Sequence, residues 1–120
     1  MDALRQLIPL AALFFVCDIP WLLTVGPWTQ SMVKTIQGGL PMRFRWEAAP
    51  PVYLALAYLL TRARSTLEAF AIGLSTYAVY DFTNYATLAK YELPFAVANF
   101  LWGGVLFALV RQVGLRAGLL

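Results

Sequence analysis

The residues able to do chemistry are few, and they interrupt long apolar runs. Asp18, Asp81, Asn84 and Asn99 each sit in a stretch that is otherwise close to hydrocarbon. An acid in such a run costs about 2.5–3.5 kcal/mol on insertion scales, so it marks either helix-to-helix bonding or a site for a proton or cation. Amides in the same setting bond across helices, each worth about 0.6–2 kcal/mol. No Arg or Lys lies deep in a run to neutralise the two acids. Two bare anions in a dry bundle are too costly to stand. At least one acid is therefore expected to be protonated and donating to Asn84, Asn99 or a backbone carbonyl, or water reaches the pair, or a neighbouring chain supplies the cation.

Other chemistries are excluded by what the chain lacks. Histidine is absent and cysteine occurs once, at Cys17. That removes Cys/His zinc sites and His-based catalytic dyads. A lone Cys closes no internal disulfide and reads as helix packing. With no nucleophile–base pair and no phosphate loop, neither an enzyme nor a bound metal or cofactor is expected.

The elements that must position the polar residues follow from composition. The chain has 120 residues, of which 61% are hydrophobic and 12% charged. A soluble domain carries about 25% charged residues and could not hide this much apolar surface at this size. The net charge of +3 is spread thinly, with no stripe for nucleic acid. The partner it suits is the lipid bilayer. A barrel would need at least about eight alternating segments of about ten residues. The runs here are continuous, so the fold class is all-α: an integral membrane four-helix bundle with short connections, spanning 1–120 as one domain.

The helices are expected at about 6–26, 48–61, 67–88 and 93–113. The charged start, Asp2 and Arg5, resembles a leader, but the run continues through Trp21, Leu22 and Leu23 without a small-x-small cleavage site, so it reads as a retained helix. Pro50 and Pro51 open the second helix, where their missing N–H groups cost nothing. That helix is short against the about 20 residues a bilayer asks for. A long polar link, 27–46, holds Pro27, Gly38, Gly39, Pro41, Arg43 and Arg45, whereas the links at 62–66 and 89–92 are tight. Four spans put both termini on one side, here side A. It carries Arg5, Arg62, Arg64, Arg111 and Arg116, and side B carries Lys34, Arg43, Arg45 and Lys90. By that narrow margin side A is cytoplasmic under the positive-inside rule.

Helical rise then sets depth. Measured from side A, Asp18 lies about 18 Å deep, Asp81 about 21 Å, and Asn99 about 22 Å in a core about 30 Å thick. Tyr53 reaches a similar level. Faces agree as well: Asp18 shares one with Trp21, Asp81 with Tyr77 and Asn84, and Asn99 with Trp102 and Gly103. Gly103 and Gly104 allow close backbone approach, and Ala69-x-x-x-Gly73 fits the same kind of packing. Trp21, Tyr53, Tyr77 and Trp102 read as packing and interface residues. Arg43-Phe44-Arg45-Trp46 reads as a headgroup anchor.

Three blocks resemble a known family. They are Asp18-Ile19-Pro20-Trp21-Leu22, Tyr80-Asp81-Phe82-Thr83-Asn84-Tyr85-Ala86-Thr87-Leu88, and Asn99-x-x-Trp102-Gly103. The second is close to a Tyr-Asp-x-Thr-Asn-x-Ala-Thr-Leu signature. It is similar to that of a family of small predicted membrane proteins called domain of unknown function 2177. The resemblance implies a four-helix membrane fold and no assigned activity. It also implies that Asp is usual where this chain has Asn99, so a role needing a third carboxylate is not expected here.

Two functions fit these residues. One is a structural or accessory subunit of a larger membrane-associated assembly, such as a respiratory or photosynthetic complex or a virion membrane layer. Its polar residues would then fix helix packing, and its partners would be other membrane subunits. The other is a small proton-coupled transporter or carrier using Asp18 and Asp81. A continuous polar path to Asp81 from both sides would separate them.

Overall fold

Four helices make up the computed structural model, which describes residues 3–120: α1 (Ala3–Ile36), α2 (Ala49–Thr61), α3 (Thr66–Thr87) and α4 (Leu93–Arg116). A single 3-10 turn, Trp46–Ala48, leads into α2. No strand occurs among the described residues. Asp2 lies outside them. The fold is the expected all-helical one. Two of its helices, α1 and α4, are long and apolar enough to cross a membrane on length and composition.

Helix α1 corrects the expected boundaries. It does not stop at Gly26 but continues through Pro27 to Ile36, so the link of 27–46 shrinks to 37–45 plus the 3-10 turn. Proline inside a helix removes one backbone hydrogen bond and crowds the preceding turn. Tertiary packing outweighs that cost. Val25, Trp28, Met32 and Ile36 recur at helical spacing and pack against Tyr91, Phe95 and Ala96 as one apolar cluster. The helix ends where glycine allows it. Gly38 and Gly39 both take positive φ, and the Gly39 N–H donates back to the Lys34 carbonyl at 2.9 Å.

The other ends are set locally. Prolines occupy the first turns of α2 and α4. At the start of α3 the Ser65 hydroxyl accepts from the Glu68 N–H at 3.0 Å, while the Glu68 carboxylate accepts from the Arg64 N–H at 3.1 Å. Helices α3 and α4 form a tight hairpin because Gly73 and Gly103 leave room for it. A Cβ on Gly73 would collide with the Gly103 carbonyl, and one on Gly103 with the Tyr77 ring. Gly104 faces Phe70 and Leu74 in the same way. The start of α1 and the residues after α4 meet at one end of the bundle, where the Gln6 side chain donates to the Leu119 carbonyl at 3.3 Å.

The interior has two apolar zones. Near the chain ends, Leu10, Phe14, Leu56, Leu60, Leu106, Phe107 and Val110 interlock, with Cys17 packed at the margin. At the far end lies the cluster built on Met32, Tyr91 and Phe95. The outside is apolar too: Ile8, Val16, Leu23, Leu67 and Val79 all point outward. An apolar exterior of this extent suits lipid.

Candidate functional site

The polar layer lies between the two apolar zones. Asp81 is 0% exposed and Asp18 5%. Periodicity explains their placement: Asp18 follows Leu10 and Phe14 at four-residue steps on the buried stripe of α1, and Asp81 follows Gly73 and Tyr77 on the face of α3 that meets α4. Each acid therefore had to find partners inside the bundle.

Asp18 takes them from α2 and α4. The Tyr53 hydroxyl donates to Oδ2 at 2.7 Å, and the Trp102 indole N–H donates to Oδ1 at 2.8 Å. Asp81 takes its partners from α4 and the preceding turn. The Asn99 amide donates at 2.9 Å to Oδ2 and 3.2 Å to Oδ1, and the Tyr91 hydroxyl donates to Oδ1 at 2.7 Å. The Trp21 indole closes the layer by donating to Asn99 Oδ1 at 3.0 Å. Trp21 and Trp102 lie stacked, with ring centroids 5.2 Å apart and planes 8° from parallel.

Partner chemistry fixes the directions. An indole N–H only donates, so the Asn99 oxygen must face Trp21 and its NH₂ must face Asp81. The order Trp21 to Asn99 to Asp81 has one sense. Each carboxyl group thus has one obligate donor, Trp102 or Asn99, and one phenol that can donate or accept. Burial, and then the hydrogen bond to Asp81, push the Tyr91 hydroxyl in the turn far above the ordinary phenol range. It remains an un-ionised partner at any physiological pH.

No cation among the described residues takes part. Among the described residues the one ion pair is Arg64 with Glu68, at 3.6 Å on the surface. Such an exposed pair contributes little. Every described buried side-chain polar atom has a hydrogen-bond partner. Asp81 is fully enclosed, and Tyr91, which donates to it, is itself packed with Met32 and Phe95.

Of the residues singled out by sequence, Asp18, Trp21, Tyr53, Asp81, Asn99 and Trp102 meet in one layer. Tyr77 packs on Gly103 beside it. Asn84 is half-buried and donates to neither carboxyl group. Helical spacing put it on the face of Asp81, but Asp81 takes its bonds from Asn99 and Tyr91 instead. Sequence reasoning missed Tyr91. Its signal was a single tyrosine between Lys90 and Glu92 in a tight turn after α3, close enough to fold back on Asp81. Trp28 was missed with it; its indole N–H donates to Glu92 at 3.3 Å.

A family model described as "Predicted membrane protein (DUF2177)" matches residues 3–116. No curated protein and no solved structure matches the chain.

Proposed function

The chain belongs to that family of predicted membrane proteins, and from this premise we propose that all four helices lie in the bilayer and that the protein is a structural or accessory subunit of a larger membrane assembly. One observation carries the reading: both acids are enclosed, and the hydrogen bonds they accept join helix to helix. A transport site has to be reachable and has to release what it binds. This layer instead ties α1 to α2 and α4 through Asp18, and α3 to α4 through Asp81. Satisfied polar networks of this kind specify one packing arrangement. What remains for function is the exterior, an apolar surface open to lipid and to neighbouring subunits.

Proteoliposome flux and gentle solubilisation test this together. The purified protein is expected to leave proton and solute permeability at the level of empty liposomes. Mild extraction from native membrane is expected to yield it in a complex with other membrane proteins. Flux that disappears in Asp81→Asn, with the bundle intact, would overturn the reading.

A specific feature favours the carrier as the second reading. Tyr53 and Tyr91 can each reverse their hydrogen bond, so each acid can gain a proton without losing a partner. That reading requires an open form in which Asp81 is no longer enclosed.

A further inference from the structure

The segment between α1 and α2 has a feature the polar layer does not explain. Residues 40–45 run without helix, and Arg45 has φ −94° and ψ 96°. In extended backbone successive side chains point to opposite sides. Phe44 and Trp46 accordingly share one side, with ring centroids 4.5 Å apart. The same alternation assigns Arg43 and Arg45 to the other. Phe44 is 52% exposed and Trp46 70%, although both rings are large and apolar. The strip is not slack. After the Gly38–Gly39 turn the Gln37 side chain donates to the Leu40 and Pro41 carbonyls, at 3.0 and 3.2 Å. At its far end the Ala48 N–H donates to the Arg45 carbonyl at 3.0 Å.

Its height is also set. Trp46 precedes Tyr53 by seven residues, which puts it roughly 10 Å beyond the Asp18 layer. Thr87 ends α3 six residues past Asp81, roughly 9 Å beyond the same layer. The Trp46 end of the strip is level with the end of the α3–α4 hairpin, the height of a membrane–water boundary for a bundle embedded along its apolar length.

We infer that residues 43–46 form an amphipathic strip that lies on the bilayer surface, its Phe44 and Trp46 rings in the interface and its Arg43 and Arg45 guanidinium groups on the phosphates of anionic lipids. Aromatic rings with one apolar body settle at this depth. Guanidinium groups match phosphate oxygens two at a time, which ammonium groups do not. Lys34 and Lys90, both exposed at this end, add to the same attraction, and Glu47 and Glu92 are the acids set against them. The inference rests on the bilayer placement proposed above and is independent of the subunit role.

Spin-label depth measurements test it in liposomes of phosphatidylcholine with and without phosphatidylglycerol. In a Cys17→Ala background, one label goes on Glu47→Cys beside the strip and a reference label on Leu101→Cys, on the outer face of α4. The Glu47 label is expected at interfacial depth, drawn deeper when phosphatidylglycerol is present. Arg43→Gln with Arg45→Gln should abolish that lipid dependence. Phe44→Ser with Trp46→Ser should raise accessibility to an aqueous nickel relaxant several-fold. A Leu101 label in lipid with a Glu47 label in water, whatever the lipid, would overturn the strip alone. A Leu101 label in water would overturn the bilayer placement beneath it.

Discussion

The indole of Trp21 lies flat on that of Trp102, and their two N–H groups point to different polar centres, Asn99 and Asp18. The stack thereby couples the two acids without a direct bond between them. Replacing either indole by phenyl keeps a ring in the stack and removes three ring atoms, the N–H donor among them. Trp102→Phe leaves Asp18 Oδ1 without its obligate donor, and Trp21→Phe leaves Asn99 Oδ1 so. An unsatisfied buried acceptor costs about 1–3 kcal/mol. Both variants are expected to lose stability in that range when unfolded in detergent. If neither moves the midpoint, the N–H groups contribute nothing beyond ring packing.

Asp81 separates shape from hydrogen bonding. Asp81→Asn keeps one acceptor oxygen and adds an NH₂, to which the Tyr91 hydroxyl can turn and accept. Asp81→Leu removes both acceptors and strands the Asn99 NH₂ and the Tyr91 hydroxyl. The Asn variant is expected within about 1 kcal/mol of wild type, and the Leu variant about 2–5 kcal/mol below it. Equal losses would mean that volume, not bonding, sets the demand at this position.

The hairpin of α3 and α4 makes a paired glycine prediction. Gly73→Ala forces a methyl into the Gly103 carbonyl, which is backbone and cannot turn away. Overpacking of this kind costs about 1–3 kcal/mol and more where backbone must shift. Gly26 also lies within a helix, yet nothing lies within 4 Å of its would-be Cβ. Gly26→Ala is therefore expected to stabilise, by about 0.5–1 kcal/mol. Thermal midpoints moving in opposite directions would bear this out, and a fall in both would refute it.

The polar layer was largely legible because helical rise and period are nearly fixed. Counting residues from each helix end put Asp18, Tyr53, Asp81 and Asn99 at one depth, and three- and four-residue spacing put Trp21 and Trp102 beside them. The glycines at 73, 103 and 104 were readable for the same reason. The end of α1 was not. Pro27 is a helix breaker in isolation, and only the neighbours of Val25, Trp28, Met32 and Ile36 keep the helix going. Those neighbours come from the α3–α4 turn, about sixty residues away, and periodicity within one segment carries no trace of them. Tyr91 was hidden in the same way, since it reaches Asp81 only when the turn folds back under that extension.

The extension of α1 thus packs on the turn that carries Tyr91, Asp81's partner, and its contribution can be isolated. Met32 is buried against Tyr91 and Phe95, and its sulfur accepts the Glu92 N–H at 3.3 Å. Met32→Ala leaves the Tyr91–Asp81 bond in place and removes the packing above it, at an expected cost of about 2–5 kcal/mol. Tyr91→Phe does the reverse: the ring stays, the hydroxyl goes, and the expected loss is about 1–2 kcal/mol. Hydrogen exchange locates the effect. In Met32→Ala, amides at 91–96 should exchange faster, while those at 106–110 in the zone near the chain ends keep their protection. In Tyr91→Phe both sets should stay close to wild type. Uniform acceleration along the chain in Met32→Ala would show that the two apolar zones open as one unit and that α1 beyond Pro27 makes no separate contribution.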